Sequence, residues 1–460
     1  MSSAGVLDAS GLRRRLISGS AWALGGQFGA AAAGLLSNVL LARLLTPAEF
    51  GAYLLVLSLV AVGSLVGCLG LNRAAVRFVA ESVSLDRPGR ARRAVRVVVG
   101  LGLIGAVAAG IAYALVGGAL ARGVFGTPLL ASVVGLTAAW IVVSALQDLF
   151  AETFRGFHDV RLATLFGGIA IGNSSGLVMR ALLLASLAWI WFSGGATDLA
   201  TVLLIVVGSG SVAALVSGVA LYARTAALRG PDGDLRSGEA LRVSLPLLVN
   251  NLTVFVLMQS DIWILAAFRP PEEVAVYGAA SRFMALVTMP LLIVNGVLPP
   301  VIAGLHASGE RGRLERTMRP IATLAGVPAL VALAVFVVAG GPILGLVYGD
   351  FYRTGATVLA LLAIGKLVAA WAGSCGLTLQ MTGNQTLLMW ISILSGLVFV
   401  AGALWAVRDH GAVGVAAVAA LSLAFQNLLT VLAARWKAGI WTHGTLSAAA
   451  VRKLLEKEER

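Results

Sequence analysis

Four ionisable residues stand inside stretches of sequence that are otherwise apolar. They are Arg180, Asp261, Arg282 and Lys366. A charged side chain at the centre of a membrane helix costs roughly 2.5 to 3.5 kcal/mol, so such groups usually face a bundle interior or a wet cavity. Three of the four are cations, and both Arg and Lys bind phosphate oxygens, Arg through a planar fork and Lys as a point charge. The residue types therefore predict a binding site for an anionic, phosphate-bearing molecule.

Other polar residues in or beside the apolar stretches could extend this basic path. Uncharged amides could bind hydroxyl groups, although such residues more often join helices by hydrogen bonds. We predict no catalytic residues and the following substrate-binding set: Arg43, Arg73, Arg180, Arg282, Lys366, Asn250 and Asn251.

Asp261 and Arg282 form a separate hypothesis. Each lies about seven residues from the predicted outer end of its own span, so at equal rise per residue the two share a depth. Two interpretations stay open: a charge pair that neutralises itself, or an ion-coupling site built around Asp261.

The elements that must position these residues follow from composition. Of 460 residues, 59% are hydrophobic and 12% are charged, whereas soluble domains are about a quarter charged. Apolar stretches of about twenty residues can cross a bilayer as helices. We predict an all-α polytopic membrane protein with twelve spans: 17–41, 52–71, 96–117, 128–148, 162–192, 199–222, 244–267, 276–303, 320–346, 355–381, 387–407 and 412–434.

The charge distribution predicts the orientation. The formal net charge is +13, and most Lys and Arg residues fall on one side of the predicted membrane, as cytoplasmic loops require. Both termini are therefore expected in the cytoplasm. Nucleic-acid binding is not expected, because no soluble domain is long enough to carry a basic surface.

Metal and cofactor chemistry have no support in the sequence. Cys68 and Cys375 lie in apolar stretches, and the four histidines are scattered over separate polar connections. We expect no metal and no cofactor. The polar segments are also too short for a catalytic domain of the usual size, so we expect no enzyme activity.

An internal repeat divides the chain. The segment beginning Thr46-Pro47 recurs beginning Pro270-Pro271, with Pro, Glu and Tyr matched at a constant offset. The repeat predicts two pseudo-symmetric six-helix lobes around a central cavity, related by an axis along the membrane normal. The expected domains are 1–230, 231–440 and a cytoplasmic tail at 441–460, with a flexible linker around Gly230-Pro231.

Several of these segments resemble bacterial Wzx-type oligosaccharide flippases, of the multidrug/oligosaccharidyl-lipid/polysaccharide exporter superfamily. The resemblance is carried by Leu44-Leu45-Thr46-Pro47-Ala48-Glu49-Phe50-Gly51, Gly70-Leu71-Asn72-Arg73, Gln259-Ser260-Asp261, Tyr277-Gly278-Ala279-Ala280-Ser281-Arg282-Phe283 and Gln380-Met381-Thr382-Gly383-Asn384. It implies a flippase that moves an undecaprenyl-pyrophosphate-linked glycan to the outer leaflet by alternating access, for assembly of cell-envelope polysaccharide. Membrane lipid and polysaccharide assembly enzymes are the other partners to expect.

Two alternatives stay open. A drug antiporter of the same superfamily would share fold and repeat but would need a proton- or sodium-binding carboxylate, for which Asp261 is the candidate. A membrane glycosyltransferase or polymerase would need paired carboxylates or a sizeable outer loop. The acids of the predicted outer connections are spread over different loops, so this alternative is the weaker one.

Overall fold

The computed structural model describes residues 29, 32–167, 176–195, 197–231 and 234–445, and within these it contains helices and no β-strand. The elements are α1 Ala32–Leu44, α2 Pro47–Gly67, α3 Leu71–Ser84, α4 Pro88–Gly123, α5 Pro128–Ser132, α6 Val134–Gly156, α7 Val160–Phe166, α8 Leu177–Ser193, α9 Leu199–Ala226, α10 Ser237–Phe268, α11 Pro271–Ala307, α12 Arg311–Tyr348, a 3-10 helix at Asp350–Gly355, α13 Ala356–Ala372, α14 Cys375–Met381 and α15 Gln385–Ala438.

The surface of these helices is apolar. Large side chains such as Leu115, Val338 and Trp405 are at least three-quarters exposed, which a soluble protein rarely tolerates in contiguous patches. Eight described segments are long and apolar enough to cross a membrane, and two shorter apolar helices accompany them. The predicted all-α polytopic membrane fold is confirmed, and the helices are consistent with twelve spans.

Several predicted spans differ from the helices. The fifth is divided into α7 and α8, with 168–175 outside the described residues. The tenth is broken between α13 and α14, where Gly373 has φ +71°, a conformation that favours glycine. The eleventh and twelfth join into α15, whose helical path is interrupted only at Gly411, with φ +51° and ψ −137°. Most of the first span also lies outside the described residues.

The contacts divide the chain into two compact units, Met1–Gln259 and Ser260–Arg460, with the division inside α10. The first unit has a core that includes Phe78 of α3 and Phe154 of α6. In the second unit Tyr277 of α11 and Tyr348 of α12 are among the largest fully buried side chains.

Two connections predicted as linker and tail are attached to helices of their own unit. The Arg92 guanidinium donates to the carbonyl oxygens of Leu228 and Gly230 at 3.4 and 3.3 Å. The described chain around the predicted linker therefore packs on α4, while 232–233 lie outside the description. In the other unit, the amide of Gly444 donates to the Trp371 carbonyl oxygen at 2.8 Å, at the break after α13. Residues 446–460 lie outside the described part.

The two matched segments of the repeat adopt the same local structure. Pro47 begins α2 and Pro271 begins α11, each at the first helical positions. Proline is favoured there because its ring fixes φ near the helical value. It also lacks an N–H group, and the N–H groups of the first turn make no hydrogen bond within the helix. Glu49 and Glu273 then stand at the same position of the first turn.

Candidate functional site

The first candidate residue, Arg180, is buried in the first unit. It lies in the first turn of α8 and is only 8% exposed. Its guanidinium lies against α1, because a Cβ atom added to Gly34 would be 2.7 Å from Arg180 Nη1. One turn further along α1, the Asn38 side-chain amide donates to the Gly34 carbonyl oxygen at 2.7 Å. Gly34 thus leaves the space that the guanidinium occupies.

The surroundings of Arg180 on its own helix are apolar. Met179 and Leu183 are both buried. A buried charge is strongly disfavoured unless it has polar partners, and in a low-dielectric site its attraction for an ion of opposite sign is much larger than in water. The arrangement can therefore bind a phosphate oxygen through a planar, permanently charged donor group.

The second unit holds a different cluster at the junction of α10, α11 and α13. The Tyr277 hydroxyl donates to Asp261 Oδ2 at 2.9 Å, and the Ile262 amide donates to Asp261 Oδ1 at 2.8 Å. Lys366 of α13 lies close enough to interact electrostatically with Asp261. An acid, a hydroxyl and an amine therefore meet within one unit.

Arg282 has separate neighbours. It lies on α11 near Tyr348 of α12, with which it interacts electrostatically. The Tyr348 ring contacts Phe283 edge to face at a centroid distance of 5.9 Å. Arg282 is half-buried, and its Nε has no hydrogen-bond partner among the residues that the structure describes.

The structure does not pair Asp261 with Arg282, which was one of the two interpretations of these residues. No ion pair joins these two described side chains, and Asp261 is bonded to Tyr277 instead. The reason lies in the helix boundaries: Asp261 is seven residues before the end of α10 at Phe268, whereas Arg282 is eleven residues after Pro271. The difference of four residues is about 6 Å along a helix, so Tyr277 is the residue that faces Asp261.

The remaining predicted site residues are more scattered. Arg43 and Arg73 are exposed, on α1 and in the first turn of α3. Asn251 is half-buried on α10, and the side chain of Asn250 is outside the described part of the structure. The predicted set thus falls in both units and does not form one described cluster.

Sequence reasoning missed two participants, Tyr277 and Gly34. Tyr277 is matched with Tyr53 in the internal repeat, and this match could have marked it as a residue with a structural or functional role. Gly34 carried no signal, because one glycine among 55 in an apolar chain does not stand out. Among the described residues, no group of three or more His, Cys, Asp or Glu side chains could hold a metal ion.

Comparison with protein families gives two matches. The family described as polysaccharide biosynthesis protein matches residues 16–306, which is more than half of the chain. The family described as MatE matches residues 246–405. No curated protein sequence matches the chain.

Solved structures that resemble this chain include transporters of the MOP superfamily and a lipid flippase. An inward-facing multidrug resistance MATE family transporter of the MOP superfamily has a TM-score of 0.71 and 15% identity, covering 88% of this chain and 94% of its own. The lipid II flippase MurJ in an inward closed conformation has a TM-score of 0.61 and 11% identity, covering 91% and 87%. A MOP superfamily transporter from Pyrococcus furiosus, described as having a binding pocket of reverse polarity, has a TM-score of 0.57 and 14% identity, covering 92% and 95%.

Proposed function

Because this chain belongs to the family of polysaccharide biosynthesis proteins, a family of membrane transporters and flippases, we propose that it flips an undecaprenyl-pyrophosphate-linked oligosaccharide. The cargo moves from the cytoplasmic to the outer leaflet of the bacterial inner membrane by alternating access. Both termini are cytoplasmic in this proposal, and the product is a precursor for surface polysaccharide.

The observation that carries the proposal is the buried guanidinium of Arg180. A guanidinium has five N–H donors, so Arg180 can keep its interactions within the protein and still offer donors to a ligand that brings negative charge. A pyrophosphate diester must exchange its hydration for other donors on the way through the protein, and an arginine fork supplies two at once. Arg282 and Lys366 supply further positive charge in the second unit.

A second candidate function is an ion-coupled antiporter for small molecules. The MatE match and the fold of the MATE transporters favour it, and Asp261 would be its coupling carboxylate. Against it stands the setting of Asp261: the Tyr277 hydroxyl and the neighbouring Lys366 already satisfy this acid, so it does not offer an isolated negative charge to an organic cation. Asp261 can still exchange a proton or a cation during flipping. A membrane glycosyltransferase or polymerase is a weaker alternative.

The test is transbilayer movement of a fluorescent undecaprenyl-pyrophosphate sugar in liposomes containing the purified protein. We expect the wild type to move it, and Arg180→Ala, Arg282→Ala and Lys366→Ala to slow it at least tenfold, since a charge-assisted hydrogen bond contributes about 1.5 to 3 kcal/mol. Arg316→Ala is the matched control, because Arg316 is exposed and its Nε donates to the Gly312 carbonyl oxygen of its own helix.

Melting temperatures of all variants are compared first, so that loss of folding is separated from loss of transport. Wild-type protein that leaves this lipid unmoved and instead exports organic cations would establish the antiporter function. If Arg316→Ala slows lipid movement equally, the loss of any positive charge has the same effect. That result would refute the roles assigned to Arg180, Arg282 and Lys366.

A further inference from the structure

The guanidinium of Arg180, on α8, lies in the space beside Gly34 of α1 that a side chain at position 34 would fill. Every other residue type at position 34 would carry a Cβ atom, and that atom would lie 2.7 Å from Arg180 Nη1 and 3.5 Å from Cζ. The first of these distances is shorter than side-chain contacts allow. The guanidinium can lie against the backbone of α1 only because position 34 is glycine.

The group that would have to move is the far end of a flexible side chain and not a backbone segment. Arginine has several rotatable bonds, so its tip can shift at small cost to the fold. An added methyl group at position 34 therefore displaces the charge more than it disturbs the packing. The glycine controls where the guanidinium lies, and only weakly whether the protein folds.

We propose that Gly34 is a positioning residue for the Arg180 guanidinium and, through it, for a phosphate of the transported lipid. This inference rests on the proposed function and deepens it. Residues 32–42 of α1 contain no acid or base, yet this part of the helix takes part in anion binding through the shape of its backbone. A forked donor binds two phosphate oxygens only in the correct plane, so a displaced guanidinium loses much of its contribution.

The chain offers a matched control at Gly29, which is described in a helical conformation. A Cβ added to Gly29 would lie 3.6 Å from Leu177 Cδ2 of α8, which is an ordinary contact distance. Gly29→Ala and Gly34→Ala make the same change in backbone freedom and helix propensity. They differ in whether the new methyl group meets Arg180.

The experiment measures binding of farnesyl pyrophosphate to the full-length protein in detergent by calorimetry, for Gly34→Ala, Gly29→Ala, Arg180→Ala and the double variant Gly34→Ala/Arg180→Ala. We expect Gly34→Ala to weaken binding about tenfold and Gly29→Ala to leave it unchanged. In the Arg180→Ala background, Gly34→Ala should add nothing, because there is no guanidinium left to displace. A purely structural role would give the same loss in both backgrounds.

Each other outcome is decisive. If Gly34→Ala binds as tightly as Gly29→Ala, or loses as much affinity without Arg180 as with it, the inference is refuted while the proposed function stands. A Gly34→Ala protein that does not fold also refutes it, since the inference requires the guanidinium to move cheaply. Failure of the wild type to bind the probe refutes the proposed cargo together with the inference.

Discussion

The two units share a scaffold feature and differ in their buried chemistry. In the first unit, Glu49 Oε2 accepts from the amide of Thr46 at 3.0 Å, while Oε1 accepts from the amide of Leu199 at the start of α9. In the second, Glu273 Oε2 accepts from the amide of Ala412, where the last helical stretch begins after Gly411. An equivalent glutamate thus joins α2 to α9 in the first unit, and α11 to the part of α15 after Gly411 in the second.

The polar centres of the units are unlike. The first has a guanidinium against a glycine, and the second has an acid facing a hydroxyl and an amine. The glutamate contacts show that both repeats join their helices in a similar way, whereas the buried ionisable residues differ between the halves. Shared architecture is therefore a poor guide to the chemistry of the buried polar residues, and the difference between the two units can be tested one position at a time.

The largest effect is expected at the bend before the last helical stretch. Gly411 has φ +51°, and an added Cβ would overlap Glu273 Oε2. We expect Gly411→Ala to destabilise the protein by about 2 to 4 kcal/mol, from backbone strain of about 1 to 3 kcal/mol plus the displaced carboxylate. Thermal unfolding in detergent measures it. Gly194→Ala is the control in the first unit, because Gly194 also has positive φ (+66°) but open space around it; equal losses would contradict the role of Glu273.

The acid–amine cluster gives the next effect. Lys366→Met leaves the Asp261 carboxylate without its neighbouring cation, and we expect a loss of about 1 to 3 kcal/mol in unfolding free energy. Lys366→Met/Asp261→Asn removes both charges and should recover most of that loss. If the double variant is stable and still fails to flip the lipid, Lys366 acts on the cargo as well as on Asp261. A double variant less stable than the single one would contradict the pairing.

A smaller difference is expected between the two glutamates. Glu49→Gln can keep the capping hydrogen bond from Thr46 through its single amide oxygen, but its NH2 group then faces the Leu199 amide that Oε1 accepted from. We expect a loss of about 0.5 to 1 kcal/mol in unfolding free energy. Glu273→Gln loses one acceptor in the same way and also loses the ion pair with Arg269. The two side chains of this pair are about one-third exposed, so a discounted total loss of about 1 to 1.5 kcal/mol is expected. Chemical unfolding of the two variants compares them directly. A larger loss for Glu49→Gln would reverse the comparison.

The smallest effect concerns pH at the start of α9. Hydrogen bonding to Thr201 lowers the pKa of Asp198 from its ordinary value, so its cap contributes above that ordinary pKa and is lost as pH falls through the lower, folded pKa. We expect amide exchange in the first turn of α9 to accelerate at acidic pH in the wild type. In Asp198→Asn this acid-dependent step should be absent; if the step persists, Asp198 is not its cause.

Much of the fold was predictable because its signals are local. Stretches of twenty apolar residues require helices in lipid, where the backbone has no other hydrogen-bond partners. The second span was predicted to begin at residue 52, five residues after α2 begins at Pro47. The end of α10 was predicted within one residue of Phe268, but the start of α11 was predicted five residues after Pro271. That error was enough to suggest Arg282, in place of Tyr277, as a partner of Asp261.

The sequence by itself determined that the chain is a helical membrane protein with repeated halves and costly cations inside its helices, because length, apolarity and charge are properties of single segments. Tertiary structure alone decided that Arg180 lies against Gly34 and that Asp261 meets Tyr277 and Lys366. Those contacts depend on the rotation and depth of one helix against another, which differ by several ångströms with each change of residue register. No count of residues along one chain can specify them.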